Sequence, residues 1–300
     1  MDKIELTKKQ FTVLTTLEKE GRPLTQRELE EKTGFSLGTI NKICQDFDGT
    51  LISDGKITDQ GLEALEPYRV KRAVFIAAGF GSRLVPVTLN TPKPLVKVKG
   101  KRIIDTLLDA VYDAGIEEVI VVRGYLAEQF DTLSNKYKGI KFLENPLYNE
   151  ANNISSTLIA KEFLQNAYVL ESDLLLNKRD LITKYQYTSN FLGIPCDRTD
   201  DWCFIVKDGV IKEQKIGGEN CFQMVGISYW TGEDGKKLAK DIEDVFNMPG
   251  GKERYWDQVP LKYAKNNYTV EVRECGFDDI IEIDTFSELK AVDKSYELYV

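Results

Sequence analysis

The sequence predicts an α/β protein: a mixed, mostly parallel sheet flanked by helices over residues 71–300, preceded by a small, mostly helical domain over residues 1–70. Three observations predict it. From Arg72 onward, short apolar runs alternate with helical stretches. The first run, Ala73 to Ala78, stops abruptly at Gly79-Phe80-Gly81-Ser82-Arg83, as a buried strand does when it opens into a ligand loop. Ahead of it, three helical stretches and an Asp-Gly hairpin are complete before Val70.

In the first domain, Phe11, Val13, Leu14 and Leu17 recur at helical spacing until Gly21-Arg22-Pro23 interrupts them. Thr25 caps a second helix, with Glu28 completing a capping box, and that helix ends near Gly34. Ser36 opens a third, with Leu37, Ile40, Ile43 and Cys44 on one face. Residues 51–58 read as two short strands around Asp54-Gly55, and a fourth helix covers 59–66. Three helices and a hairpin resemble a winged helix-turn-helix domain. Residues 1–70 hold 10 Lys+Arg and 13 Asp+Glu, a net charge of −3 (10 − 13). DNA affinity rests largely on phosphate neutralisation, so a protein–protein or dimerisation module is favoured over a DNA reader. A homodimer is left open.

Past residue 71 the expected order is helix 103–115, strand 119–122, helix 126–136, strand 140–143, helix 154–163 and strand 167–170. The pattern then turns antiparallel: strands at 190–196, 202–207, 210–217 and 222–230, helices at 233–246 and 252–265, strands at 269–275 and 280–283, and a last helix at 286–298. In such sheets ligands bind beyond the strands' carboxyl ends, which is where the glycine loop and Asp173 both lie.

Composition narrows the chemistry. The chain is 42% apolar and 29% charged, an ordinary globular balance. No run approaches a membrane span and the first residues lack a signal-peptide core, so the expectation is a cytoplasmic chain without membrane contact. Five scattered cysteines read as reduced thiols rather than a zinc framework. Histidine is absent, which excludes Ser-His-Asp and Cys-His hydrolysis and histidine-based metal sites. Catalysis must use Lys, Arg, Asp, Glu and metal. The net charge of −8 opposes an anionic nucleotide. Local charge at Arg83, Lys93 and Lys97, with a divalent cation, would offset it.

The glycine loop suits phosphate: glycines bring bare N–H groups close to a ligand, and Arg83 adds a planar charged fork. Pro92 and Pro94 bracket Lys93, bias it toward an extended backbone and place its ammonium on a stiff stem. The spacing is neither the dinucleotide fingerprint, which has a third glycine, nor a Walker loop. Two strand-end acids, Asp173 and Asp284, suit Mg²⁺ with phosphate oxygens and water; each is also a plausible helix cap or solvated turn. All three tryptophans fall in the second half, in Asp200-Asp201-Trp202, Tyr229-Trp230 and Tyr255-Trp256-Asp257. Rings beside carboxylates are how proteins hold an organic cation, although a strand tryptophan is more often core.

The combined A-A-G-F-G-S-R-L and T-P-K-P-L stretches resemble the signature of nucleotidyltransferases that join a nucleoside triphosphate to a phosphorylated small molecule, the sugar-nucleotide pyrophosphorylase-like (nucleotide-diphospho-sugar transferase-like) fold. With G-I-E-E-V-I-V-V-R-G-Y-L-A-E-Q-F, N-N-I-S-S, E-S-D, D-D-W, Y-W-D and E-I-D-T, residues 71–300 look like the bacterial CTP:phosphocholine cytidylyltransferases of the LicC type. The resemblance implies CTP held by Ala77, Ala78, Gly79, Gly81, Ser82, Arg83 and Lys93, with Arg83 and Lys93 catalytic. It implies Mg²⁺ on Asp173 and Asp284, and phosphocholine against Asp201, Trp202, Tyr229, Tyr255, Trp256 and Asp257. Glu171-Ser172-Asp173 departs from the family's D-x-D at its first position, which puts Glu171 in doubt as a ligand. The implied reaction makes CDP-choline and pyrophosphate. The rivals are the same transfer to 2-aminoethylphosphonate or phosphoethanolamine, or a transcriptional regulator that senses nucleotide or choline ester.

Overall fold

A computed structural model describes residues 4–298. The chain divides into two units: Met1–Arg69 with Tyr185–Tyr187, and Val70–Lys184 with Thr188–Val300. The first holds α1 (Lys8–Glu20), α2 (Gln26–Thr33), α3 (Leu37–Phe47), β1 (Ile52–Ser53), β2 (Lys56–Ile57) and α4 (Asp59–Leu65). Thr7 with Gln10 and Thr25 with Glu28 form capping boxes, so each helix starts by satisfying its own orphan N–H groups. Asp54 and Gly55 both take positive φ, which lets Ile52 face Ile57 across the hairpin. Val13, Leu14, Leu17, Leu29 and Ile40 fill the core. Leu37 differs from its expected inward orientation and is 40% exposed, because it opens α3 beyond the packed turns. Tyr187 stacks on Tyr68, centroids 5.4 Å apart, so a distant piece of chain completes this core.

The second unit follows in order: β3 (Arg72–Ala77), β4 (Lys97–Val98), β5 (Lys101–Arg102), α5 (Ile103–Asp113), β6 (Glu118–Arg123), β7 (Ile140–Glu144), α6 (Ile154–Ile159), β8 (Ala167–Glu171) and β9 (Leu174–Leu176). Then come β10 (Asn190–Lys207), β11 (Val210–Trp230), α7 (Gly232–Phe246), β12 (Glu271–Glu274), β13 (Ile280–Glu282) and α8 (Phe286–Val292). The sheet runs β10-β12-β11-β8-β3-β6-β7. β8, β3, β6 and β7 are parallel, and β11 joins β8 antiparallel, so the sheet is mixed. The buried runs of β3, β6 and β8 pack against α5 on one face, with Phe75, Leu107, Val121 and Leu170 in one cluster. Among the described residues no helix is long and apolar enough to cross a membrane.

Several element expectations change. The four strands expected between 190 and 230 are two long ones, because pairing continues through the exposed polar stretch that includes Arg198↔Glu219. The helix expected at 126–136 is 3₁₀, Ala127–Asn135. The one expected at 154–163 ends as α-helix at Ile159. Residues 252–265 form short turns rather than a helix; Pro260 cannot donate a helical hydrogen bond, and Val259–Tyr263 adopts a π turn. The last helix stops at Val292 and resumes as a 3₁₀ turn at Lys294–Leu298.

Candidate active site

The carboxyl ends of β3 and β8 open into one cavity of about 450 Å³. In register, Ile76 lies beside Glu171, so the glycine loop and the Glu171-Ser172-Asp173 stretch emerge together. β13 runs antiparallel to β9 with Glu282 opposite Leu174, which carries Glu282 and Asp284 to the same place. Ala77, Ala78, Gly79, Gly81 and Arg83 line the cavity's glycine-loop side. Ser82, expected among the phosphate contacts, is exposed and lies outside the lining. At Gly81 the requirement is double: φ is +68°, and a Cβ would lie 2.9 Å from the Lys93 Cβ.

Lys93 begins a single 3₁₀ turn, Lys93–Leu95, rather than the extended segment that Pro94 suggests. The turn is closed by the Leu95 N–H donating to the Pro92 carbonyl at 2.8 Å. Its Nζ, on a residue only 8% exposed, donates to Asp173 Oδ2 and to Asp284 Oδ1, each at 2.8 Å. Arg83 donates to the same Asp284 oxygen at 2.9 Å. Burial lowers the Lys93 pKa, but the two carboxylates outweigh it and the net shift is upward, so the ammonium stays charged.

Carboxylate oxygens of Glu171, Asp173 and Glu282 lie within 4.8 Å of one another. Asp173 Oδ1 is buried and accepts no hydrogen bond. Burial, then the charges of Asp173, Glu282 and Asp257, push Glu171 well above the usual carboxylate range. Burial, then Asp173 and Asp284, push Glu282 to about 8. Converging oxygens, one of them an orphan, fit a hard divalent cation. The geometry thus admits Glu171, which the motif left in doubt, and adds Glu282. Asp284 lies outside this group of three and turns to Lys93 and Arg83. Glu282 was missed because nothing in E-I-D-T marks one acid over the other; the alternation of β13 puts both on one side.

On the same lining, Trp202 and Tyr255 meet edge to face, centroids 5.9 Å apart, and Asp201 and Asp257 line the cavity with them. Asp257 is 3% exposed; burial raises its pKa to about 6, against the hydrogen bond it accepts from Gln214. Tyr229 and Trp256, expected in the acceptor pocket, do not line the cavity. Tyr229 packs on Tyr168 in the sheet core, and Trp256 stacks on Phe191. Alternation along β11 explains Tyr229, because neighbouring strand side chains point opposite ways; Trp256 lies in a turn, where its large apolar ring goes inward. Asn145, Tyr148, Asn152, Asn153, Ser155 and Ser156 line a further wall.

The nucleotidyl transferase family model matches residues 72–191, the segment that carries the glycine loop, Lys93 and Asp173. A 2-aminoethylphosphonate cytidylyltransferase of Lancefieldella rimae is 35% identical over 75% of this chain and 92% of its own length. The chain belongs to the nucleotidyl transferase family, as one of its cytidylyltransferases. A choline-phosphate cytidylyltransferase of Streptococcus pneumoniae is 31% identical over 74% of this chain and 97% of its own. The solved CTP:phosphocholine cytidylyltransferase of Streptococcus pneumoniae superimposes with a TM-score of 0.70 at 30% identity, covering 76% of this chain and 99% of its own. An inositol-1-phosphate CTP transferase from T. maritima, 19% identical with a TM-score of 0.62, shares the fold. Nucleotidyltransferases of this kind generally use a divalent metal, which agrees with the carboxylate group beside Lys93. The family match begins at residue 72, and of the first unit it takes in only Tyr185–Tyr187.

Proposed function

We propose that the enzyme transfers the cytidylyl group of CTP to a small aminoalkyl phosphonate or phosphate, 2-aminoethylphosphonate first among them, and releases pyrophosphate. One observation supports the acceptor's class: the cavity lining pairs Asp201 and the buried Asp257 with the Trp202–Tyr255 corner, so carboxylates and rings are offered together. A primary ammonium donates hydrogen bonds to carboxylates, whereas a quaternary one needs aromatic faces on several sides. The Trp202–Tyr255 corner favours a second reading, phosphocholine as acceptor.

In this reading the glycine-loop N–H groups and Arg83 hold the triphosphate, and Lys93 neutralises charge on the α-phosphoryl group under attack. The acceptor's own anionic oxygen attacks the α-phosphorus in line, that oxygen–phosphorus bond forms, and the bond to pyrophosphate breaks. The nucleophile is already ionised near neutral pH, so no side chain need take its proton. Asp173, with Glu171, Glu282 or Asp284, holds Mg²⁺, which when bound shields the triphosphate. Lys93 pairs with Asp173 and Asp284, which holds its ammonium beside the carboxylates assigned to the metal. The first unit is assigned a winged-helix form and a protein–protein role, consistent with its net charge of −3.

Pyrophosphate release with CTP, run against 2-aminoethylphosphonate, phosphoethanolamine and phosphocholine, tests the acceptor. The proposal expects kcat/KM to be highest for a primary amine. A preference for phosphocholine would establish the second reading, and no release with any of the three would end both.

A further inference from the structure

Between the carboxylate group and the acceptor end lies a hydrogen-bonded pair, Asn152 and Asn153, just ahead of α6. Asn152 donates its backbone N–H to the Lys252 carbonyl at 2.7 Å and its Nδ2 to the Glu253 carbonyl at 3.3 Å. Asn153 Oδ1 accepts from the Trp256 N–H at 2.9 Å. Three bonds thus hang residues 252–256, an irregular segment, from the head of a helix. Tyr255 and Asp257 flank the Trp256 peptide that Asn153 grips. The same Asn153 side chain turns its Nδ2 toward Glu171 Oε1 at 3.4 Å. Its orientation is fixed in turn, because its N–H donates to Asn152 Oδ1 at 2.7 Å. Asn152 is held from the other side by the Ser155 hydroxyl, which donates to its carbonyl at 2.8 Å.

An amide is suited to this place and a carboxylate is not. It must accept from a backbone N–H and donate to an acid at once, and a side-chain amide offers both from one planar group, whereas an ionised carboxylate only accepts. We infer that Asn153 is a positioning residue that sets the acceptor wall, through the Trp256 peptide, at a fixed distance from the metal-side carboxylate Glu171. The acceptor's phosphonate must reach the α-phosphorus while its ammonium stays at Asp257. A shift of the wall therefore misplaces the nucleophile even when both substrates are bound. The inference rests on the proposed metal cluster and acceptor end.

The test uses the full chain and two readouts: equilibrium titration with Mn²⁺, and steady-state KM for CTP and for the preferred acceptor. Asn153→Ala loses both bonds. It is expected to weaken Mn²⁺ binding and raise the acceptor KM by about tenfold each, the scale seen when partners of metal ligands are removed, with the CTP KM within about twofold. Asn153→Asp keeps an oxygen for the Trp256 N–H and loses the donor to Glu171. It should restore the acceptor KM while Mn²⁺ affinity remains altered, a split that general loosening would not produce. If Asn153→Ala does not fold, Asn153→Asp carries the test alone. Equal changes in the CTP and acceptor KM, or no change in either readout, would overturn the inference. Glu171→Gln and Trp202→Ala separate the levels: if they leave Mn²⁺ affinity and acceptor KM at wild type, the underlying reading fails and the inference with it. If they move and the Asn153 variants do not, the inference alone fails.

Discussion

Ile283 donates its backbone N–H to the carbonyl oxygen of Asp173 at 3.2 Å. Two segments some hundred residues apart in sequence are thereby locked in register beside the site, with Glu282 opposite Leu174. Asp173 and Asp284 come close enough to share one ammonium, that of Lys93. A carboxylate-lined pocket of this kind is held by main-chain pairing rather than by the charges themselves, which repel one another.

Lys93→Ala removes a cation that pairs with both Asp173 and Asp284. Its contribution is to charge developing at the reacting phosphorus, so kcat should fall by on the order of 10²–10³, with CTP affinity reduced far less. Steady-state kinetics beside equilibrium nucleotide binding checks this, and normal turnover would remove Lys93 from its assigned role.

Gly81→Ala asks a side chain to occupy φ +68° and to sit 2.9 Å from the Lys93 Cβ. The strain alone is worth on the order of 1 kcal/mol. The Lys93 stem has to give way as well, so activity should fall further than stability. Urea unfolding of the variant, with kcat, reads the two separately.

The acceptor KM should depend on pH through Asp257. Burial raises its pKa to about 6, so between its ordinary value and 6 the native protein holds a proton that the unfolded chain releases. Stability from this group is therefore full below the unfolded pKa of 3.8 and declines as pH rises toward 6. Function runs the other way: the carboxylate that attracts the acceptor's cation forms as pH passes 6. The KM for an aminoalkyl acceptor should fall between pH 5 and pH 7 by about tenfold. Asp257→Asn should give a high KM with no such slope, and a wild-type KM that is level across that range would contradict the assignment.

Trp202→Ala should raise the acceptor KM by about tenfold, the scale of one desolvated ring–cation contact, while Tyr229→Phe should leave it unchanged. Tyr229 belongs to the sheet core. Equal effects of the two substitutions on KM would restore Tyr229 to the acceptor's surroundings.

The glycine loop, Lys93 and Asp173 were legible because they are local: a strand that ends in Gly79-x-Gly81, or a lysine between two prolines, declares itself within a few residues. The capping boxes at Thr7 and Thr25 are likewise local, and that at Thr25 reads directly from the sequence. What the sequence hid depends on which way a side chain faces in a long hairpin or an irregular turn. Tyr229 and Trp256 read as acceptor contacts because they adjoin rings and acids, yet they sit one residue out of phase with the cavity. Glu282 and Asn153 lie within the E-I-D-T and N-N-I-S-S stretches, which assign neither of them a role; their places follow from the β9–β13 register and from hydrogen bonds to a turn a hundred residues away. The expected helix at 252–265 failed because composition near Pro260 does not outweigh its missing donor.

Metal-dependent pyrophosphate release tests the central claim most directly. Wild-type protein with CTP and 2-aminoethylphosphonate is assayed over a Mg²⁺ titration beside Asp173→Asn. The account predicts release that requires both the acceptor and Mg²⁺ and falls by on the order of 10²-fold or more in the variant. Release that is unaffected by Asp173→Asn, or that proceeds undiminished with the metal chelated, would contradict it.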